Sequence, residues 1–327
     1  MQPNGRASSR ITQPAVPPAS ATPATPGASP QPTITPAPTV TVEPTATADP
    51  TPAPGGSPTV AVSADVAGAT SGTNDDATAN LLAAMNPTVI APTGDLVYED
   101  GSAAQFAACY EPTWGRFKDK TRPAPGNHEY HQTNAGPYFD YFGAAAGARG
   151  KGWYSYDVGP YWHAIALNSN VSMGSTSEQI TWLKADLAAN PDKCLLAYWH
   201  RPRWSSGTSH GSSTTPHYAV QALYSAGADL VLVSHDHNYE RFAPQNPSGG
   251  YDPIKGLREF VVGTGGAPMN GFNTPLPNSE VRSSSTYGVL KLTLKQGSYD
   301  WKFERAAGGT FTDLGSSTCH NVAAPAG

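Results

Sequence analysis

The chain has 327 residues, a net charge of −5 and a pI near 6.0, and charged residues make up 14% of it. Nucleic acids and anionic membranes select surfaces with clustered Lys and Arg, and no basic run is present, so no nucleic-acid surface is evident. We expect no transmembrane segment, because no apolar stretch is long enough to cross a bilayer. The Met1 segment lacks the apolar core of a secretory signal, so the sequence gives no direct indication of compartment.

Residues 1–57 consist almost entirely of Pro, Thr, Ala, Ser and Gly and contain no aromatic residue. Such a segment cannot bury enough apolar surface to offset the entropy of ordering it. The composition predicts a disordered linker or spacer, partly in polyproline conformation, and leaves a proline-motif ligand for a partner as the alternative. Residues 58–320 are expected to form one large α/β domain and residues 321–327 a flexible tail.

Strand and helix patterns alternate along the rest of the chain. Strands are predicted at 59–63, 88–92, 163–168, 194–199, 229–233 and 259–263, and helices at 74–85, 177–189 and 216–226. The first helix carries Asn/Asp capping signals. Segments 287–294 and 299–305 alternate apolar and polar residues, which predicts a β-hairpin with one solvated face. The order indicates an α/β (α+β) fold whose largely parallel sheet gains antiparallel character from the hairpin.

The cysteines Cys109, Cys194 and Cys319 lack the close spacing of a zinc knuckle or redox pair. One disulfide with one free thiol, or three unpaired thiols with Cys194 buried in a strand, both fit the sequence. Low charge and the Thr/Pro-rich spacer favour an exported bacterial protein, secreted or associated with the cell wall.

Four short clusters each follow or close an apolar run: Gly94-Asp95-Leu96-Val97-Tyr98, Gly126-Asn127-His128-Glu129, Tyr198-Trp199-His200 and Ser234-His235-Asp236-His237. Strand ends of an α/β sheet line the crevice in which ligands bind. Carboxylate, amide, phenol and imidazole groups together suit a pair of first-row metal ions. The candidate ligands are Asp65, Asp95, Tyr98, Asn127, His200, His235 and His237. Asp95 is the natural bridge, because it lies between clusters that must supply both ions.

The order of these clusters resembles the calcineurin-like metallophosphoesterase superfamily. Tyr98, three residues after Asp95, is similar to the purple acid phosphatase branch. The segments 110–117, 122–130 and 237–242 resemble secreted bacterial members of that branch. The resemblance covers the chain after the spacer. It implies a metallophosphoesterase fold, a four-layer αββα sandwich with two mixed β-sheets and the metal ions at strand ends between the layers.

The resemblance also implies a division of the ligands between two metal ions. The first ion would take Asp65, Asp95, Tyr98 and His237, and the second Asp95, Asn127, His200 and His235. A phenolate ligand favours Fe³⁺ at the first position, and Zn²⁺, Mn²⁺ or Fe²⁺ would take the second. Both ions would lower the pKa of a bound water and bind the phosphoryl oxygens.

Four further residues receive roles beside the ligands. His128 would hydrogen-bond the phosphoryl group or protonate the leaving oxygen, and His210 corresponds to a substrate-facing histidine of that branch. Glu129 is expected to orient His128 or a ligand. Arg201 either pairs with the phosphate or forms an ion pair beside the site. His163 and His217, in contrast, are expected to be structural.

The expected activity is hydrolysis of small phosphate monoesters by an acid phosphatase-like enzyme. A phosphodiesterase or nucleotidase of the same fold is one alternative, and a catalytically impaired, wall-associated binding module is another. Ser234 and Ala64 stand where the family usually has Gly. If residue 234 requires a left-handed backbone, serine would strain that loop and weaken metal binding. The sequence gives no oligomeric state.

Overall fold

The computed structural model of the chain describes residues 56–66, 68 and 74–321. Nearly all of the predicted spacer, 1–57, and of the predicted tail, 321–327, lies outside the described residues, so both stay predictions. In the described part, no helix combines the length and apolarity needed to cross a membrane. The longest α-helix of that part has 12 residues.

The described residues contain twelve β-strands, which form two mixed sheets. They are β1 (Thr59–Val62), β2 (Val89–Ile90), β3 (Tyr154–Val158), β4 (Trp162–Ala166), β5 (Cys194–Tyr198), β6 (Leu230–Val233), β7 (Tyr239–Phe242), β8 (Arg258–Val262), β9 (Ser279–Ser283), β10 (Gly288–Lys295), β11 (Ser298–Arg305) and β12 (Leu314–Thr318). The five-stranded sheet has the order β12-β11-β10-β1-β2, and the seven-stranded sheet has the order β3-β4-β5-β6-β8-β7-β9.

Both sheets combine parallel and antiparallel pairs. In the larger sheet β4, β5, β6 and β8 run parallel, while β3, β7 and β9 are antiparallel to their neighbours. In the smaller sheet β1 pairs in parallel with β2 and antiparallel with β10. The predicted hairpin is β10 and β11, and alternate residues of β11 are buried, as its sequence pattern indicated. It joins the smaller sheet rather than the parallel one.

Five α-helices lie among the described residues: α1 (Asp75–Met85), α2 (Ala103–Gln105), α3 (Gly136–Phe142), α4 (Glu178–Ala189) and α5 (His217–Ser225). Phe106–Tyr110 continues α2 as a π-helical turn, and short 3₁₀ helices span Trp114–Lys120, Glu129–His131, Thr133–Ala135 and Gly143–Ala146. The Ser177 side chain accepts a hydrogen bond from the Ile180 amide and caps α4. Asn74 occupies the N-cap of α1, but its side chain makes no capping hydrogen bond.

Three apolar cores separate four layers of structure. The central core lies between the sheets and contains Leu196 and Leu290. A second core packs α4 and α5 on the larger sheet, and Leu195 belongs to it. The third packs α1 and α3 on the smaller sheet through Leu82 and Tyr138. Adjacent residues of β5 therefore enter different cores, because successive side chains of a strand point to opposite faces. The expectation of an αββα sandwich with two mixed sheets is confirmed.

A disulfide between Cys194 and Cys319 connects the larger sheet to the segment that follows β12 of the smaller one. The two cysteines are 125 residues apart in the chain. Cys109 is a free, half-buried thiol. Of the two arrangements that the sequence left open, the structure has one disulfide and one thiol.

His163 is a structural residue, as expected. It lies in β4, is 5% exposed, and its ring nitrogens contact Asp157 Oδ1 at 2.8 Å and Asp186 Oδ2 at 2.9 Å. Both carboxylates accept, so both nitrogens must carry protons. Burial alone would lower the pKa of His163, but the hydrogen bonds and charges of Asp186 and Asp157 raise it above its ordinary value.

We expect His163→Gln to cost about 2 kcal/mol of unfolding free energy at about pH 5.5 and clearly less at about pH 9. The raised pKa stabilises the folded state fully below the unfolded pKa of about 6.5, and this contribution disappears as pH rises through the folded value. Urea unfolding at both pH values measures the difference. As a control, His217→Gln should cost under about 0.5 kcal/mol at either pH. A His163→Gln cost that is equal at both pH values would contradict the charged assignment.

Candidate metal centre

The predicted ligands lie where strands of the two sheets end beside each other. Asp65 follows β1 and Asp95 follows β2 in the smaller sheet, while His200 follows β5 and His235 follows β6 in the larger sheet. Because β1 and β2 are parallel, as are β5 and β6, each pair delivers its side chains to one edge. The chain turns back into β7 directly after His237.

One group of predicted ligands surrounds His200. Its Nε2 lies 3.1 Å from Asp95 Oδ2, 3.1 Å from Asn127 Oδ1 and 3.0 Å from His235 Nδ1. One ligand atom from each of Asp95, His200 and His235 lies within 4.8 Å of the other two. Four side chains from four separate loops thus direct nitrogen and oxygen atoms at one point.

In the neutral form of His200, the proton is on the other nitrogen, Nδ1. Its Nδ1 lies 3.0 Å from the Thr93 carbonyl oxygen, which can only accept, so Nδ1–H donates there. In the neutral ring, Nε2 then carries a lone pair and faces the acceptor oxygens of Asp95 and Asn127. Acceptors at such distances repel one another unless a proton or a cation lies between them. The donor set therefore fits a divalent metal ion.

A second group joins Asp65, Tyr98 and His237. The Tyr98 hydroxyl lies 3.0 Å from Asp65 Oδ1 and 3.1 Å from His237 Nε2. His237 Nδ1 donates to the Pro268 carbonyl oxygen at 2.9 Å, which leaves the lone pair of the neutral ring on Nε2. Asp65 is fully buried, and its Oδ2 has no hydrogen-bond partner among the described residues. A buried carboxylate oxygen without a partner is costly, and a bound cation would satisfy it.

Three predicted ligands have backbone conformations that are rare for residues with side chains. The φ angles of Asp65, Asp95 and His235 are 57°, 50° and 74°. Such left-handed conformations cost about 1 kcal/mol or more for a residue other than glycine and persist only when surrounding contacts enforce them. Three of the seven non-glycine residues with positive φ in the described part of the chain are thus predicted ligands, which makes this crevice a candidate functional site.

Close backbone packing around Asp95 depends on two glycines. A Cβ atom at Gly126 would overlap the backbone nitrogen and carboxylate of Asp95. A Cβ atom at Gly94 would lie 2.6 Å from the Gly126 amide nitrogen and 2.8 Å from His200 Nδ1, and its φ of 105° is itself strained for other residues. The second and third clusters can approach Asp95 only because these side chains are absent.

Glu129 connects the cluster that contains Asp95 to its own cluster, which begins at Gly126. It is fully buried, and its carboxylate accepts hydrogen bonds from the amides of Asp95 at 3.0 Å, Leu96 at 2.7 Å and Gly126 at 2.6 Å. Burial, with a smaller contribution from the charge of Asp95, raises the pKa of Glu129 to about 7. The expectation that it orients a ligand agrees with these contacts, which hold the backbone of Asp95 rather than His128.

The charges of Asp95 and His200 stabilise each other without a metal ion. Burial works to raise the pKa of Asp95, but His200 and then His128 hold it well below its usual range. Burial works to lower the pKa of His200, and Asp95 reverses this and raises it to about 9. His235 has the opposite shift, because burial and the charge of His200 lower its pKa to about 2. A protonated His200 in the metal-free protein would have to lose its Nε2 proton to bind an ion.

Burial dominates the second group. It raises the pKa of Asp65 despite the charges of His237 and His200. Burial, followed by the charge of Asp65, raises the pKa of Tyr98 well above its ordinary value. The Tyr98 hydroxyl therefore stays protonated unless a cation offsets the negative charge of a phenolate.

His128 and His210 lie beside the two groups. His128 Nδ1 donates to the Glu99 carbonyl oxygen at 2.6 Å, and its Nε2 is 3.8 Å from Asp95 Oδ2. The ring of His210 stacks on that of His235 at 3.7 Å, with 21° between the planes. Both histidines thus keep their Nε2 atoms free of any hydrogen bond within the described residues.

Arg201 follows His200 directly. Its backbone amide donates to Ser169 Oγ at 3.1 Å, and its Nε is buried without a hydrogen-bond partner in the described part of the chain. No carboxylate of the described residues lies within ion-pair distance of its side chain. Its positive charge is among the influences that lower the pKa of His235.

The two departures from glycine do not strain the loops that contain them. The positive-φ residue of the last cluster is His235, not Ser234. Ser234 Oγ donates to the Thr93 carbonyl oxygen at 3.0 Å and lies 3.0 Å from His200 Nδ1. Ala64 is buried in ordinary backbone conformation, and its amide donates to the Val262 carbonyl oxygen. The condition under which serine would strain this loop is therefore not met.

Sequence reasoning gave no role to Asp236, which stands between His235 and His237. It is fully buried, and its carboxylate receives hydrogen bonds from the loop that carries His210. Its place between two predicted ligands was the only sign of a role in the sequence. The groups that it binds lie 25 to 31 residues away in the chain, so the sequence did not reveal them.

Comparison with known proteins identifies the family. A family model described as calcineurin-like phosphoesterase matches residues 58–239, more than half of the chain. The chain belongs to the calcineurin-like phosphoesterase family. The match includes every predicted ligand from Asp65 to His237.

Relatives place the chain near one branch of this phosphoesterase family. It is 29% identical to purple acid phosphatase 15 of Arabidopsis thaliana over 245 residues. The aligned region covers 63% of this chain and 44% of that protein. It is 27% identical over 241 residues to probable inactive purple acid phosphatase 1 of the same plant, covering 61% and 38%. The chain thus spans less than half the length of these relatives. A purple acid phosphatase from yellow lupin (Lupinus luteus) seeds shares its fold, with a TM-score of 0.66, 19% identity, and coverage of 80% and 53%.

Proposed function

We propose that this chain hydrolyses phosphate monoesters at a centre that holds two metal ions. The observation that carries the proposal is the convergence of nitrogen and oxygen atoms able to bind metal ions in two adjoining groups, one around His200 and one around Tyr98. The charge of Asp95 influences the titration of members of both groups. The family and its purple acid phosphatase relatives support a phosphoesterase reaction.

Each group suits a different kind of ion. A phenol, a carboxylate and an imidazole at Tyr98, Asp65 and His237 suit Fe³⁺, with Asp95 as a shared ligand. The amide and imidazoles at Asn127, His200 and His235, again with Asp95, suit Zn²⁺, Mn²⁺ or Fe²⁺. Two such ions would supply a hydroxide near neutral pH and neutralise charge on the phosphoryl oxygens.

The residues beside the centre would handle protons and orientation. The Nδ1–H of His128 is held by the Glu99 carbonyl oxygen, so Nε2 is the nitrogen able to hydrogen-bond the phosphoryl group or give a proton to the leaving oxygen. The ring of His210 stacks on that of His235, so His210 lies beside one of the proposed metal ligands. Arg201 has no carboxylate partner in the described part of the chain, which favours pairing with the phosphate over the alternative of an ion pair beside the site.

The proposed location is outside the cytoplasm. A disulfide between Cys194 and Cys319 supports this, because such bonds persist mainly in oxidising compartments. Low charge and the Thr/Pro-rich segment before residue 58 support it too.

Metal analysis combined with turnover tests the function. We expect about two metal ions per purified chain and faster hydrolysis of p-nitrophenyl phosphate than of bis(p-nitrophenyl) phosphate or a nucleoside monophosphate. A visible tyrosinate-to-iron absorption band should be present and should disappear in Tyr98→Phe. Preference for the diester or nucleotide would favour the corresponding esterase. Fewer than about one metal ion per chain with no turnover after reconstitution would overturn the proposal.

A further inference from the structure

The loop that carries His210 is attached to the metal-centre loop through one carboxylate. Asp236 is 0% exposed, and its Oδ1 accepts the His210 amide at 3.0 Å. Its Oδ2 accepts the Gly211 amide at 2.8 Å and the Ser205 hydroxyl at 2.6 Å. All three groups donate, and both carboxylate oxygens accept.

Packing over this carboxylate is as close as the hydrogen bonds. A Cβ atom at Gly207 would overlap the carboxyl carbon and both oxygens of Asp236. The Gly207 amide donates to Ser205 Oγ at 3.0 Å, so the hydroxyl links the loop backbone to Asp236. The loop therefore wraps around the carboxylate rather than touching it at one point.

The consequence reaches the predicted ligands. Asp236 lies between His235 and His237 in the chain, and the loop it holds places the ring of His210 flat on that of His235. The anchor acts on the His210 backbone amide, so the imidazole nitrogens stay available for another partner. One residue thus fixes the separation between the loop of the predicted metal ligands and the histidine expected to face the substrate.

We propose that Asp236 is a positioning residue that holds the 205–211 loop so that His210 meets the phosphoryl group of the substrate. The role rests on the proposed phosphoesterase function. Asp236 acts only through the loop, because its oxygens are occupied by Ser205, His210 and Gly211 and its side chain is buried. It therefore contributes order rather than a proton or a metal ligand.

A second buried carboxylate offers a matched control. Glu240 is 0% exposed and accepts the Ser206 amide at 2.7 Å and the Ser206 hydroxyl at 2.6 Å. It holds the same loop from β7, and none of its hydrogen bonds within the described residues is with His210. Glu240→Gln and Asp236→Asn make the same chemical change, and only the second releases the amide of His210.

Asp236→Asn keeps the size of the side chain but turns one oxygen into a donor. Its amide nitrogen must then face either the His210 amide or the Gly211 amide, both of which can only donate. Hydrogen–deuterium exchange of the metal-loaded protein should show peptides that contain 210 and 211 exchanging at least about tenfold faster. Glu240→Gln should leave exchange at 210 and 211 within about threefold of the unchanged protein.

Turnover separates positioning from general damage. With p-nitrophenyl phosphate we expect Asp236→Asn to lower kcat/KM about tenfold while metal content is unchanged, and His210→Ala to lower it by a similar factor. Combining them should cost no more than His210→Ala alone, since the anchor has nothing left to position. Multiplying effects in the double variant, or loss of metal from Asp236→Asn, would overturn the proposal.

Failure of the proposed function is distinguishable from failure of this anchor. If the unchanged protein hydrolyses none of the three esters, calorimetric binding of inorganic phosphate to the metal-loaded protein replaces turnover. Asp236→Asn and His210→Ala should then weaken phosphate binding by the same factor, with no further loss in the double variant. Unchanged exchange at 210 and 211 in Asp236→Asn overturns the anchor whatever the activity.

Discussion

Asp95→Asn is expected to remove both metal ions and to lower kcat/KM for p-nitrophenyl phosphate by at least about 10³-fold, or about 4 kcal/mol of activation free energy. Asp95 Oδ2 lies 3.1 Å from His200 Nε2. The charge of Asp95 also raises the pKa of Asp65 and that of Tyr98. An amide has no charge with which to bridge two cations, so neither group would keep its full affinity.

Asparagine is the informative replacement at this position. It matches aspartate in size and tolerates the left-handed backbone that Asp95 adopts, with φ of 50°. Its oxygen can still accept the His128 amide, which Asp95 Oδ1 accepts at 2.9 Å. The fold should therefore survive, as circular dichroism and thermal unfolding of the metal-free variant would show.

Variants that lack a ligand of only one metal ion show whether the loss of both ions is specific to the bridging residue Asp95. His235→Ala and His237→Ala each lack a ligand of only one group and should retain about one metal ion per chain. Metal content measured by atomic emission distinguishes the three variants. An Asp95→Asn protein that retains two ions would refute the shared-ligand assignment, even if turnover fell.

The strands that deliver the candidate ligands could be predicted, because local sequence patterns mark them. The strands that become β1, β5 and β6 are short, apolar and followed by polar clusters, so both the strand and the residue it delivers are visible in the sequence. The sequence strand at 88–92 was longer than β2, which pairs only at Val89 and Ile90 before the chain leaves the sheet towards Asp95.

Other strands have no local pattern of that kind. β7, β9 and β12 were not predicted, and neither was β3. β9 and β12 each carry polar residues or Gly at four of five positions and are held by pairing with β7 and β11 at the sheet edges. β7 contains the buried Glu240, which interrupts its apolar character. Tertiary pairing, rather than propensity, determines these elements.

The backbone partners of the supporting carboxylates could not be predicted for a similar reason. Glu129 and Asp236 accept backbone hydrogen bonds from segments up to 34 and 26 residues away. Backbone donors look the same in every residue, so the sequence does not show which amide a buried acid will meet. Only the assembled fold brings the loop of His210 onto Asp236.

Cys319→Ser is expected to lower the unfolding free energy by about 4 kcal/mol and the melting temperature by about 10 °C. The bond between Cys194 and Cys319 closes a loop with a sequence separation of 125 residues, and closing a long loop restricts the unfolded chain strongly. Urea unfolding without reductant measures the change. In the presence of a thiol reductant, the variant and the unchanged protein should unfold alike.

Cys109→Ser provides the matched control, because it removes the free, half-buried thiol and should change stability by less than about 1 kcal/mol. Equal destabilisation by both substitutions would argue against the disulfide. The disulfide lies far along β5 from the proposed metal centre, because Cys194 begins this strand and His200 lies beyond its other end. Since the bond acts on the unfolded chain and not on the crevice, folded Cys319→Ser should keep the metal content and kcat/KM of the unchanged protein.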